Sequence, residues 1–213
     1  MPDTVAVTTR RREATRQKLL DAAAQVFAEV GLDAASVEAI CDAAGFTRGA
    51  FYSNFETKDE LFLELAGRVA RERVDAVRGR VAEMERDGLL TQVPADPFQI
   101  VQNVLDVSAD DRLGVLLMSE IRIHALRNPQ LAAAYLAQEE EMRVSVEQII
   151  TDIGRAGALT FRIPPAECAS LLLTVWERTS VRGVMAGLSD EEMCRRTNEE
   201  LARIAQLIVA LPA

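Results

Sequence analysis

An all-α protein is predicted, and three features of the 213-residue sequence predict it. Apolar residues recur at three- and four-residue spacing, as in Leu19, Ala23, Val26, Phe27 and Val30, and nowhere alternate with polar ones over the length of a strand. Helix-start signatures, Thr57-Lys-Asp-Glu60 and Ser189-Asp-Glu-Glu192, stand ahead of long periodic stretches. In each, the hydroxyl is placed to accept an amide hydrogen three residues on, and the Glu to return the bond. Glycine and proline punctuate the rest, dividing it into about nine helices: a three-helix N-terminal head and a larger C-terminal helical domain.

Composition narrows the class further. The chain is 49% hydrophobic and 27% charged, as a globular protein with a real core should be. Its longest apolar runs are a few residues, against the roughly 20 a membrane span needs. No signal-peptide layout stands at the N-terminus, so the cytoplasm is the expected compartment. Cys41, Cys168 and Cys194 are odd in number and far apart, without metal-ligand spacing. Free thiols are expected, with no metal and no cofactor.

Residues 1–9 carry no periodicity and are expected to be a flexible tail. From Arg10 a helical stripe runs to Gly31. Its start is basic: Arg10, Arg11, Arg12, Arg16 and Lys18 stand against Glu13 alone, a local +4 in a chain of net charge -9. Attraction to phosphates acts over about a Debye length of 8 Å, so a basic arm can dock while the acidic bulk faces away.

Val37, Ile40, Cys41 and Ala44 form the apolar face of a short second helix, capped by Ser36 and ended by Gly45. Thr47 caps a third helix. There Phe51 and Phe55 share one flank while Arg48, Gly49, Tyr52 and Ser53 share another, so the element can pack inward and press outward into a major groove. The head is placed at residues 10–56. A fourth helix, 57–86, would extend about 43 Å at 1.5 Å per residue. It is expected to tie the head to a domain spanning 57–213.

A loop with Gly88, Pro94 and Pro97 follows, then a short helix marked by Phe98, Val101, Val104 and Leu105. The next is marked by Leu113, Leu116, Leu117 and Ile121, and a long helix runs from residue 130 to about 155 with Glu139-Glu-Glu141 on its solvated side. Pro164-Pro165 open the eighth helix and Ser189 the last, on which Leu201, Ile204, Ile208 and Leu211 make a coiled-coil-like seam. Leu171 and Val175 with Leu201, Ile204 and Ile208 are candidates for a dimer interface, the alternative being that both helices are simply core.

Residues 15–62 closely resemble the N-terminal DNA-binding domain of TetR-type transcriptional repressors. The likeness rests on Phe27-Ala-Glu-Val-Gly31, the Ala44-Gly45 turn, Gly49-Ala-Phe-Tyr-Ser-Asn-Phe55 and Lys58-Asp-Glu-Leu61. The resemblance implies a dimeric repressor on double-stranded DNA, two-fold symmetric through its last two helices, which releases a palindromic operator when a small molecule binds. Position by position it puts Ser36, Thr47, Arg48, Tyr52 and Lys58 at the DNA, with Gly49 allowing close approach. Asn54 stands where many members carry His, and an amide can still donate to phosphate. No membrane partner is implied.

For an apolar effector the candidate lining is Leu117, Glu120, His124, Tyr135, Met142 and Trp176, drawn from the middle helices. Glu120 and His124, at i and i+4, can equally be a helix-surface pair or an internal brace. An all-helical enzyme using them as acid and base is disfavoured: the chain has one histidine, no nucleophile at a recognisable turn and no phosphate loop. A regulator without a small-molecule effector remains the other alternative.

Overall fold

The computed structural model describes residues 3–90, 103–104, 112–157 and 159–210, with side chains from residue 11 onward. Among them are eight helices: α1 (Asp3–Ala34), α2 (Val37–Ala44), α3 (Arg48–Tyr52), α4 (Lys58–Arg86), α5 (Arg112–Ala125), α6 (Pro129–Arg155), α7 (Pro165–Met185) and α8 (Asp190–Ile208). The only extended pairing among the described residues is β1 (Thr160–Phe161) against β2 (Val209–Ala210), antiparallel, with Thr160 opposite Ala210. The fold is all-α. Most of the short helix expected near residue 98, and Leu211, lie outside the described residues.

The chain forms two compact units, the first made of Met1–Arg68 with Leu117–Tyr135 and the second of Val69–Leu116 with Leu136–Ala213. In the first, α1 begins at Asp3, where a tail was expected, and is interrupted at Gly31 (φ 76°, ψ 173°), a conformation open essentially to glycine alone. The helix stripe buries Leu19, Ala23, Val26 and Phe27, whereas Val30, expected among them, is half exposed. Ile40, Cys41, Phe51 and Phe55 come from α2, α3 and the turn after it. Leu61, Phe62, Leu65 and Ala66 show that the first turns of α4 also belong to this core, with Phe62 tilted against Phe27 at 5.9 Å. At the start of α4, Thr57 accepts the Glu60 amide at 3.0 Å as the capping pattern requires. The Glu60 carboxylate returns to the Glu56 amide at 2.6 Å, one residue before the cap.

The second unit is built on Val74, Val81, Met84, Ile149, Ile150, Ile153, Cys168, Ala169 and Ile208, with Met142, Val146, Leu172 and Ile204 packed against them. Asn128 Oδ1 accepts the Gln130 and Leu131 amides and so caps α6. Ser189 caps α8 by accepting the Glu192 amide at 3.3 Å, but the Glu192 carboxylate turns to Arg195 and Arg196 instead of back to the cap. Helix α8 buries Met193, Thr197, Leu201, Ala205 and Ile208. A Cβ on Gly183 would stand 2.8 Å from Met193 Cγ, so α7 and α8 approach closely there. Burial pushes the Cys41 and Cys168 thiols up, and none of the three cysteines is in a disulfide. No described helix is long and apolar enough to cross a membrane.

Candidate nucleic-acid interface

Ser36 sits in extended conformation (ψ 155°) and its Oγ accepts the Ala39 amide at 3.1 Å, which fixes where α2 starts. At the other end Gly45 is left-handed (φ 70°), and the Phe46 amide reaches back to the Cys41 carbonyl at 2.9 Å. Two residues later Thr47 Oγ1 accepts the Ala50 amide at 3.2 Å. A five-residue helix could not hold itself in water. Its anchors are Phe51 and the following Phe55, both fully buried, with ring centroids 5.8 Å apart. Opposite them Ser36, Thr47, Arg48, Gly49, Tyr52 and Ser53 are all exposed.

Arg48 Nη1 lies 2.7 Å from Glu38 Oε1 on α2, and Tyr52 stands one turn further along α3. Tyr52 and the Glu38 carboxylate both raise its already high pKa, so it is a permanent cation. Arg12 donates from Nη2 to the Ser53 carbonyl at 3.1 Å, which brings the basic arm to the C-terminal end of α3. Arg11 is exposed, and the Arg10 side chain lies outside the described residues. Lys58 donates to the Leu32 carbonyl at 2.7 Å and to the Asp33 carbonyl at 3.5 Å, leaving one N–H of its ammonium for a phosphate.

Two of the residues expected at DNA are turned inward. Asn54 is 8% exposed, its Nδ2 donating to the Ala50 carbonyl at 2.8 Å, so it closes the end of α3 and has no open path to a phosphate. Arg16 is pinned by the Glu64 carboxylate, donates to the Asn54 carbonyl, and lies 4.2 Å over the Phe55 ring. The Glu64 hydrogen bond raises its pKa. It braces the head from behind, and its charge is no longer available as an electrostatic foothold.

The effector candidates divide between the two units. Glu120 Oε2 accepts the Leu32 amide at 2.7 Å, and His124 Nε2 lies 3.1 Å from Asp33 and its Nδ1 3.8 Å from Asp59. Of the readings open for this pair, the structure shows the internal brace. Leu117 is buried, and buried Tyr135 takes a hydrogen bond from Arg122 at 3.1 Å. These four belong to the first unit, Met142 and Trp176 to the second. There Arg73 stacks over Trp176 at 5.0 Å, and Gly114 gives it room. Of the candidate dimer residues, Leu201 and Ile208 are buried within their own chain and Ile204 packs on the same core, because the buried stripe of α8 runs along 193, 197, 201, 205 and 208. Leu171 is exposed and Val175 half-buried. Glu38, Glu64 and Arg73 were not foreseen, since each acts on a partner at least ten residues distant.

Residues 19–65 match the model of the bacterial regulatory proteins, tetR family. The chain belongs to the TetR family. The transcriptional regulator AcrR of Shigella flexneri is 26% identical to this TetR-family chain over 209 residues, covering 96% of it and 90% of AcrR. The transcriptional repressor Rv1474c of Mycobacterium tuberculosis is 45% identical over 67 residues, 32% of this chain and 35% of that protein. In three dimensions a TetR-family regulator from Mesorhizobium loti matches with TM-score 0.70 at 22% identity, over 94% of this chain and 99% of that one. The relatives are DNA-binding transcription regulators with a helix-turn-helix, and so is this TetR-family protein; it is not an enzyme.

Proposed function

We propose that this TetR-family regulator is a homodimeric repressor that binds a palindromic operator through α2 and α3 and releases it when a small molecule binds the C-terminal unit. The observation that carries the reading is the face of α3: Arg48 and Tyr52 stand out from a helix whose other side is locked by Phe51 and whose start is capped by Thr47. On this reading Arg48 enters the groove. Ser36, Thr47, Tyr52, Ser53 and Lys58 hold phosphates, Gly49 lets the backbone approach, and Arg10, Arg11 and Arg12 steer.

A five-residue reader touches few bases, each good pairing being worth about 1–3 kcal/mol, so two copies on half-sites about 34 Å apart are needed for selectivity. The exposed side of α7, with Leu171 and Val175, takes the place of the α8 seam as the dimer face. Beside it Arg143, Ala166, Glu167, Ser170, Leu171 and Thr174 line an open groove of about 570 Å³. An effector is supported by solved proteins of this fold that carry ligands, choline in one from Saccharomonospora viridis and stearoyl-CoA in FadR of Bacillus subtilis.

Selection from a random duplex library, followed by gel shift, tests the reading. Arg48→Ala and Tyr52→Ala should each cost at least tenfold in affinity for the selected sequence while leaving a folded dimer. Unchanged affinity in both would overturn it.

A further inference from the structure

Glu38 is out of place on a face that meets a polyanion. It is 56% exposed, as the 61% exposed Arg48 is, and an ion pair between two such side chains adds little to folding, so stability does not account for it. What the pair does have is definition. Ser36 fixes the turn of α2 that carries Glu38. Phe51, fully buried, holds the Tyr52 ring edge-on at 5.3 Å, and the Glu38 carboxylate draws the Arg48 guanidinium to 2.7 Å. An arginine drawn to a carboxylate in this way has surrendered part of its rotamer freedom before DNA arrives.

Two consequences follow from the chemistry. First, the carboxylate cancels the arginine's charge, so Arg48 gains little from an arbitrary phosphate. Second, N–H groups of the guanidinium fork remain beside a carboxylate oxygen. A G·C pair presents the complement in the major groove: the guanine N7 and O6 acceptors, then the cytosine N4 donor. Resting on the reading of α3 as the groove-entering helix, we propose that Glu38 determines specificity by holding Arg48 as a reader of one G·C pair in each half-site rather than as a phosphate anchor.

The test is selection from a random-sequence duplex library by the intact protein, Glu38→Ala, Glu38→Gln and Arg48→Ala, with affinities then measured on the selected duplex and on a scrambled one across a salt series. The wild-type protein should enrich a two-fold sequence with a fixed G·C pair per half-site, preferred by about five- to a hundredfold, the range a bidentate arginine pairing carries. Arg48→Ala should lose that preference. Glu38→Ala should reduce it at least fivefold at that position alone and bind the scrambled duplex more tightly. Its salt slope should steepen by up to about 0.9 per protomer, because the released arginine now neutralises a phosphate. Glu38→Gln, which keeps an oxygen acceptor but no charge, should bind scrambled DNA as Glu38→Ala does while retaining part of the G·C preference.

A carboxylate serving only the first turn of α2 would change melting temperature and leave the base preference alone. An unaltered selected sequence in Glu38→Ala, or scrambled binding that does not rise, overturns the inference. If Arg48→Ala still loses the site, the reading of α3 survives that result. If the wild-type protein enriches nothing, both fall together.

Discussion

A backbone amide just past a break in a helix has no partner of its own, and that of Leu32, behind the Gly31 kink, is such a group on a residue with 1% of its surface exposed. Glu120 supplies the acceptor while Lys58 covers the carbonyl of the same residue. Removing the carboxylate therefore orphans a buried donor, at a cost of about 1–3 kcal/mol. Glu120→Ala should lower stability in urea by that amount and accelerate hydrogen exchange at the Leu32 amide. Glu120→Gln, whose amide oxygen can still accept, should lose less than half as much. Equal losses in the two variants would show that the carbonyl-type acceptor is not what matters. The pairing of Glu120 with His124 on one helix face was legible, because i, i+4 spacing is local. Their partners were not, lying 88 and 91 residues away. Asn54 fails the same way: its position beside Ser53 on a short helix was plain, but burial depends on how α3 rolls against the core.

Helix starts were legible where a single side chain decides them, and Ser36, Thr47, Thr57 and Ser189 all accept the amides their positions predict. The second half of each capping pattern was not, since a glutamate has several reachable partners and Glu192 takes two arginines four residues or fewer away. Those arginines hold the Glu192 carboxyl below the usual carboxylate range. The seam on α8 was misread because 201, 204 and 208 fit a heptad, whereas the buried positions step mostly by four toward α7. Packing against α7 also decides the sign of glycine substitutions. At Gly79 on α4 an added Cβ meets nothing within 4 Å, so Gly79→Ala should stabilise by about 0.5–1 kcal/mol through helix propensity. At Gly183 the same methyl would strike Met193 near its backbone end. Overpacking of about 1–3 kcal/mol then exceeds the propensity gain, and Gly183→Ala should destabilise. Urea titration of both variants checks the pair, and shifts of the same sign would contradict it.

At the scale of the whole molecule the charge distribution is the feature that composition hides. The +4 carried by residues 10–18 leaves the rest of the chain at -13, so attraction to a duplex must come from a small part of the surface. Within that part the structure divides the arginines by role: Arg16 is committed to Glu64 and Phe55, Arg48 to Glu38, and Arg12 reaches Ser53 at the end of α3 while Arg11 stands in solvent. Arg11 and Arg12 are then the ones whose charge is available to phosphates. Removing one phosphate-neutralising arginine should flatten the dependence of binding on salt by about 0.9 in log–log slope, and a dimer carries two copies. Replacing both with alanine should flatten the slope by up to about 3.6 and weaken the selected and scrambled duplexes by the same factor, because phosphates carry no sequence information. Arg16→Ala should instead lower the melting temperature and leave the slope of the folded fraction nearly unchanged. A slope for the Arg11, Arg12 double variant equal to the wild type would remove the arm from the mechanism. A loss confined to the selected duplex would make these arginines base readers rather than an electrostatic foothold.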